Sequence, residues 1–181
     1  MKLLQYFYLF IFIFPFALTA QIKGTVEATG AYSFNLDTPG INFRNYYFLS
    51  EKLHLGIEYT HFFDNTEHFL DEKVVTSADV FDLNSNYFVE LTPHFLFYTV
   101  LGLDYSREKE EIQLMDENEI QRDDAFGYNV GGGFEVPFNH HWAVLAEYTH
   151  TFSDLKDNIF FVGLVYEWEI KGKKHHQHNA D

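Results

Sequence analysis

Carboxylates at alternate positions, with few cations among them, are the first chemistry this sequence offers. Glu27, Glu58, Asp82, Glu90, Asp104, Glu135, Glu147 and Glu167 fall on one face of a two-residue repeat, and only Arg44, Lys23 and His54 oppose them there. A carboxylate taken out of water needs a cation, hydrogen-bond donors or a proton. If that face is interior, it predicts a polar network of buried ion pairs gathered around Arg44. The alternative on the same residues is a narrow lumen passing cations or protons. Which carboxylate meets Arg44 stays open at this level.

Three further stretches carry reactive residue types. The string Glu-Tyr-Thr-His occurs twice, at Glu58–His61 and Glu147–His150. Period two sets each Glu on the polar face and each His on the apolar one. The stretch Arg107–Asp124 holds eight carboxylates and three basic residues, and reads as a solvated acidic loop. Its oxygens suit Ca²⁺ or Mg²⁺, but the Asp-x-Asp-x-Asp-Gly spacing of a calcium loop is absent. His175, His176 and His178, in the tail after Lys171, could hold Zn²⁺ or Ni²⁺ loosely; an untethered chain end is the plainer reading. There is no Cys, which excludes disulfides, thiolate catalysis and Cys-ligated metals. Nucleotide loops, zinc-protease motifs and nucleophile elbows are also missing, so neither cofactor nor metal is expected.

The elements that must position these residues are strands. From Ile22 to Leu36 the even positions are apolar or small and the odd ones polar or small, a pattern no helix gives. Similar alternation recurs over Ile41–Leu49, Leu53–Thr60, Phe81–Leu91, Phe97–Ser106, Phe126–Val136, Trp142–Phe152 and Phe160–Ile170. Eight segments, mostly of about ten to fifteen residues, exceed the usual soluble strand of about 5–6 and match tilted membrane strands. Connections alternate too. Ser50–Lys52, Thr92–His94 and Pro137–His141 are short, whereas Asp64–Asp79 and Arg107–Asp124 are expected as long acidic loops. Ser153–Asn158 is intermediate, and Asp37–Gly40 is expected as a tight turn on the long-loop side.

Composition bears on what surrounds those strands. Aromatic residues make up 19% of the chain, with 21 Phe and 12 Tyr, more rings than a small soluble core hides. A soluble lipocalin-like barrel would have to pack the whole apolar face inside eight strands. Lipid outside and a Gly-, Ser-, Thr- and Asn-rich face inside is the simpler arrangement. Residues 1–20 carry Lys2, an apolar run and Ala17-Leu18-Thr19-Ala20, the layout of a cleaved secretory signal. Net charge is −15, which argues against nucleic acid as a partner.

With these strands in hand, the chain over 21–170 resembles the small OmpA/OmpX-type outer-membrane β-barrel proteins, a group that includes opacity-like surface antigens. Gly163-Leu164-Val165-Tyr166-Glu167-Trp168 resembles the C-terminal signal read by the barrel assembly machinery, with Gly163, Tyr166 and Trp168 at its marked positions. Phe161 stands where that signal carries a polar residue, and the chain runs on past the strand. The resemblance implies an all-β, eight-stranded antiparallel up-and-down transmembrane β-barrel. It would be a monomer of the outer membrane with extracellular loops and periplasmic termini, and its partners would be outer-membrane lipids, lipopolysaccharide and, during biogenesis, the assembly machinery. Residues 171–181 form a short His/Lys-rich periplasmic tail in this scheme. A non-catalytic role in envelope integrity or surface interaction follows, with a narrow porin-like channel as the alternative. Barrel enzymes that deacylate lipid A carry His-x-Ser on one strand face; here Phe152 takes the Ser position and Ser153 faces the other way, so catalysis is not expected.

Overall fold

The computed structural model describes residues 22–69, 72–92, 94–113 and 118–170. The signal expected over 1–20 and the tail 171–181 lie outside the described residues. Eight antiparallel strands close on themselves in sequence order: β1 (Ile22–Ser33), β2 (Thr38–Phe48), β3 (Leu53–Phe69), β4 (Glu72–Thr92), β5 (Phe95–Gln113), β6 (Asn118–Pro137), β7 (Trp142–Phe152) and β8 (Asp157–Ile170). β8 pairs with β1 from Ile22↔Ile170 to Ser33↔Ile159, so the sheet has no free edge within the barrel.

Alternation decides which face is which. Along β3, Leu55, Ile57 and Tyr59 are exposed while His54, Glu58 and Thr60 are buried. The same holds around the ring, with Val26, Phe43, Leu83, Leu103, Val130, Val144 and Val162 all pointing out. Ile57 is 64% exposed and Leu103 63%. An apolar belt that wide is unstable against water and matched to hydrocarbon, where a closed barrel satisfies every backbone group internally. No helix among the described residues is long and apolar enough to cross a membrane; the strands do the crossing.

Registers place the outward residues in level rows. Phe43, Tyr59, Phe81, Tyr105 and Phe126 are successive cross-strand partners on β2 to β6. Ring centroids are 4.9 Å apart for Tyr59–Phe81 and 4.7 Å for Tyr105–Phe126. Directly beyond runs a charged row, His61↔Asp79↔Arg107↔Asp124. Rings then charges is the profile of a membrane–water boundary.

Two expectations about the connections need correction. Asp64–Asp79 and Arg107–Asp124 are not loops. β3 and β4 stay paired to Phe69↔Glu72, and β5 and β6 to Gln113↔Asn118. β2 leaves its neighbour at Gly40↔Phe62 and β7 at Tyr128↔Phe152, so β3 to β6 continue alone as a four-stranded flap beyond the barrel rim. Both faces of that flap meet water, so no hydrophobic alternation marks it, though Thr66, Val74, Val75 and Thr76 favour strands. A register shift between Phe62 and Asn65 bends β3 at the base of the flap. The first connection is displaced as well: the turn is Phe34–Asp37, not Asp37–Gly40. Asp37 adopts φ 49°, and Gly40 already lies in β2, where a Cβ would come within 2.5 Å of the His61 carbonyl oxygen.

Candidate functional site: the polar bolt in the lumen

Glu27, Arg44, Glu58, Asp82 and Asp104 are successive cross-strand partners on β1 to β5, one unbroken inward row. Arg44 lies at its centre of charge, with its side chain fully buried. Its Nε is 2.9 Å from Glu58 Oε2 and 2.6 Å from Asn42 Oδ1. From β7, on the opposite wall, Glu147 reaches across to accept two parallel bonds, 3.0 Å from Nη1 and 2.9 Å from Nη2. Glu27 Oε2 stands 3.7 Å from Nη1. The planar guanidinium fork suits this bidentate pairing, which an ammonium group would not reproduce.

A second layer of donors holds the carboxylates. Tyr98 donates to Glu147 Oε2 at 2.8 Å and Thr149 to Oε1 at 3.2 Å. Tyr46 and Asn84 donate to Glu58, Asn84 at 2.6 Å, and Thr25 donates to Glu27 at 3.0 Å. The flat face of Arg44 lies 4.3 Å over the ring of Phe161, a cation–π contact in a desolvated site. Phe161 is the residue that departs from the assembly-signal pattern. Sequence alternation assigns it to the inner face, but only the structure shows that it is the platform for Arg44. Tyr46 and Tyr98, both almost fully buried, likewise belong to the inner face and were not among the expected site residues.

The remaining carboxylates do not join Arg44. Asp82 accepts from Asn129 at 2.7 Å, and Asp104 accepts from Ser106 at 2.9 Å, on the flap side of the bolt. Glu90, Glu135 and Glu167 line a vestibule of about 530 Å³ at the opposite end, with Lys23 and His54. His54 is clasped between Phe48 and Phe88, at centroid distances of 3.7 and 4.4 Å. A second cavity of about 330 Å³ opens at the flap end, lined by Phe62, Val80, Ser106, Glu108, Thr151 and Asp157. No residue is common to the two linings, and Arg44 with its partners occupies the level between them.

The twin Glu-Tyr-Thr-His strings build one arrangement twice, on β3 and β7. In each, Glu turns inward to Arg44 while Tyr and His turn outward and share one acceptor on the next strand. Tyr59 and His61 Nδ1 donate to Asp79 Oδ1 at 2.7 and 2.9 Å. Tyr148 and His150 Nδ1 donate to Asn158 Oδ1 at 2.7 and 2.8 Å. On the outer face Phe152, not a serine, stands two residues after His150 and packs edge-on against it at 4.3 Å. Among the described residues no three His, Asp or Glu side chains converge as metal ligands. On β8, Trp168 and Tyr166 stand at the terminus-bearing end, Trp168 edge-on to Tyr47 at 5.7 Å. Gly163 lies against β1, where a Cβ would be 2.3 Å from the Ala28 carbonyl oxygen.

A family model for the outer membrane protein beta-barrel domain matches residues 14–167. The chain belongs to this family. The outer-membrane barrel also superposes on solved structures of low identity, which bear on its fold alone. The N-terminal barrel domain of OprF from Pseudomonas aeruginosa is 17% identical, with 81% of this chain and 97% of that one covered at a TM-score of 0.60. Ail, the attachment invasion locus protein of Yersinia pestis, is 10% identical, covered 82% and 98%, with a TM-score of 0.56. A major outer membrane protein of Thermus thermophilus is 10% identical, covered 81% and 99%, with a TM-score of 0.63. No curated protein sequence matches the chain.

Proposed function

We propose that this outer-membrane barrel is a closed, non-catalytic scaffold whose work is done at the cell surface by the β3–β6 flap, in envelope integrity or surface interaction. The observation that carries this reading is the bolt: Arg44 held by Glu58 and Glu147 on opposite walls, backed by Tyr46, Tyr98 and Phe161, fills the lumen at mid-height. An eight-stranded barrel has room for such side chains and little else. The short turns and both ends of the described chain lie at one end of the barrel and the flap at the other, which supports periplasmic termini and an extracellular flap. The ring of Phe152 against His150, where the serine of a lipid-deacylating barrel would stand, supports a non-catalytic role.

Reconstitution into planar bilayers tests this. Purified protein, shown to be folded by slower or faster gel mobility before boiling than after, gives no discrete conductance steps in the wild type. Discrete steps from the folded wild type would overturn the closed-scaffold reading in favour of a narrow channel.

A further inference from the structure

The flap separates its charges by face. β4, β5 and β6 run from barrel into flap without a register shift, so the outward phase of the barrel wall continues upward. On it lie Lys73, Arg107, Lys109 and Arg122, and the shift in β3 brings His68 to the same side, opposite Lys73. The inward phase carries Glu67, Glu108, Glu110, Glu119 and Asp123 and no cation. Local electrostatics agree with this division. Burial and the neighbouring Glu110, Asp123 and Asp157 charges push the Glu108 carboxyl above its ordinary value. On the other face, hydrogen bonds from Gln113 and Lys109 hold Glu111 below its own, with Lys73 nearby. A chain of net charge −15 thus sets the cations of this region on the face turned away from the barrel axis.

Their height fits that direction. Arg107 sits one row beyond the ring row of Tyr59, Phe81, Tyr105 and Phe126, where headgroups begin. It donates to Asp124 at 2.9 Å and to the Tyr105 hydroxyl at 2.9 Å, which leaves donors of its fork facing outward. Lys109 and Arg122 are direct cross-strand partners one step higher. Below them the outer wall is concave over about 690 Å³, lined by Phe43, Ile57, Tyr59, Leu83, Leu103 and Phe126. A slot for hydrocarbon capped by exposed cations matches one ligand chemistry, an acyl chain bearing a phosphate headgroup.

We propose that the outward face of the flap, through Arg107, Lys109 and Arg122 above the β2–β6 groove, binds the phosphate headgroup of an outer-leaflet lipid. This rests on the membrane placement and flap orientation argued above. The clamp tethers the flap to the bilayer, keeping the acidic inner face turned over the barrel mouth.

The test uses the full-length protein in nanodiscs of phosphatidylcholine alone and of phosphatidylcholine with phosphatidic acid, the probe for a lipid phosphate. Retained phosphatidic acid is counted by native mass spectrometry and thermal unfolding is followed in parallel. The wild type is expected to retain phosphatidic acid and to melt higher in the anionic discs, with both effects reduced at about 0.5 M salt. The triple variant R107Q/K109Q/R122Q should lose retention on the order of 10- to 100-fold, since each cation near a charged surface contributes severalfold and three carboxylates, Asp79, Glu111 and Asp124, share this face. K23Q/K52Q, at the opposite end of the barrel, should behave as wild type. Undiminished retention by the triple variant, or an equal thermal shift from inorganic phosphate added to uncharged discs, overturns the proposal. Failure of the membrane reading shows separately, as identical gel mobility of boiled and unboiled protein in both disc types.

Discussion

Arg44 on β2 and Glu147 on β7 meet through two parallel hydrogen bonds of 3.0 and 2.9 Å although 103 residues separate them in the chain. The pair is a strut between opposite walls, made after both halves of the barrel exist. Breaking a buried ion pair from one side leaves the other charge unpaired, at about 3–5 kcal/mol. Arg44→Met should therefore destabilise the barrel by about that amount in urea unfolding monitored by gel mobility, because Glu58 and Glu147 lose the cation they share. Because hydrophobic replacement of a whole set of buried charges is often near neutral, adding Glu58→Leu and Glu147→Leu to Arg44→Met should recover much of the loss. A triple variant no better than Arg44→Met would show that the loss comes from packing around Arg44 and not from the stranded carboxylates.

Phe161 offers a second handle on the same strut. Its ring is 3% exposed and stacks under the guanidinium at 4.3 Å. Phe161→Ala should cost about 3–5 kcal/mol through the cavity it opens. Phe161→Leu keeps most of the volume and removes the π face, so its cost should be nearer ~2 kcal/mol, the size of a desolvated cation–π contact. Equal losses for both substitutions would assign Phe161 a packing role alone.

The β1–β8 seam should be sensitive to one glycine and indifferent to another. A Cβ on Gly163 would sit 2.3 Å from the Ala28 carbonyl oxygen and 2.5 Å from Thr29 Cα. A Cβ on Gly30 meets only the Val162 carbonyl oxygen, at 3.9 Å. Gly163→Val is expected to abolish the unboiled-gel form by keeping the closing strands apart. Gly30→Ala should fold and gain about 0.4–1 kcal/mol from reduced chain entropy in the unfolded state. Normal closure of Gly163→Val would remove the close approach as the reason for glycine there.

The two faces of the flap should titrate in opposite senses. A hydrogen bond from Arg107 holds Asp124 below the ordinary carboxylate value. Its contribution to flap pairing is therefore present above the unfolded value and lost as pH falls through the folded one. Glu108 is raised, by burial first and then by Glu110, Asp123 and Asp157. Its ionisation opposes flap pairing above the folded value, and that opposition disappears below the unfolded value. Carboxyl NMR titration reads both. Arg107→Gln should move Asp124 up toward its ordinary value, and Asp123→Asn should move Glu108 down; no movement in either would dissolve the two-faced description.

What the sequence made legible was what lipid enforces. The apolar phase of Ile57, Leu83, Leu103 and Val162 had to face outward, and its period located all eight strands. Alternation fixes a residue's face but not its height. Glu90, Glu135 and Glu167 share a face with Arg44 yet lie in the vestibule at the other end. Height comes from register, and the row Glu27–Arg44–Glu58–Asp82–Asp104 depends on turn geometry that alternation does not encode. Beyond the rim the signal vanished, because a strand wetted on both sides has no reason to alternate. Arg107–Asp124 thus read as an acidic loop by composition, and its sorting of cations from carboxylates became visible only once the strands were paired.

The bulge between Phe62 and Asn65 has an evolutionary consequence. It works as a clutch between two parts of one strand: Glu58 below it is tied to the lumen, and Glu67 and His68 above it are free to take either side. Gain or loss of a single residue at Phe63 or Asp64 would exchange the faces of Glu67 and His68 while leaving Arg44 and its clamp untouched. The surface this barrel shows to the outside can therefore diverge rapidly through small insertions, with the transmembrane part held constant.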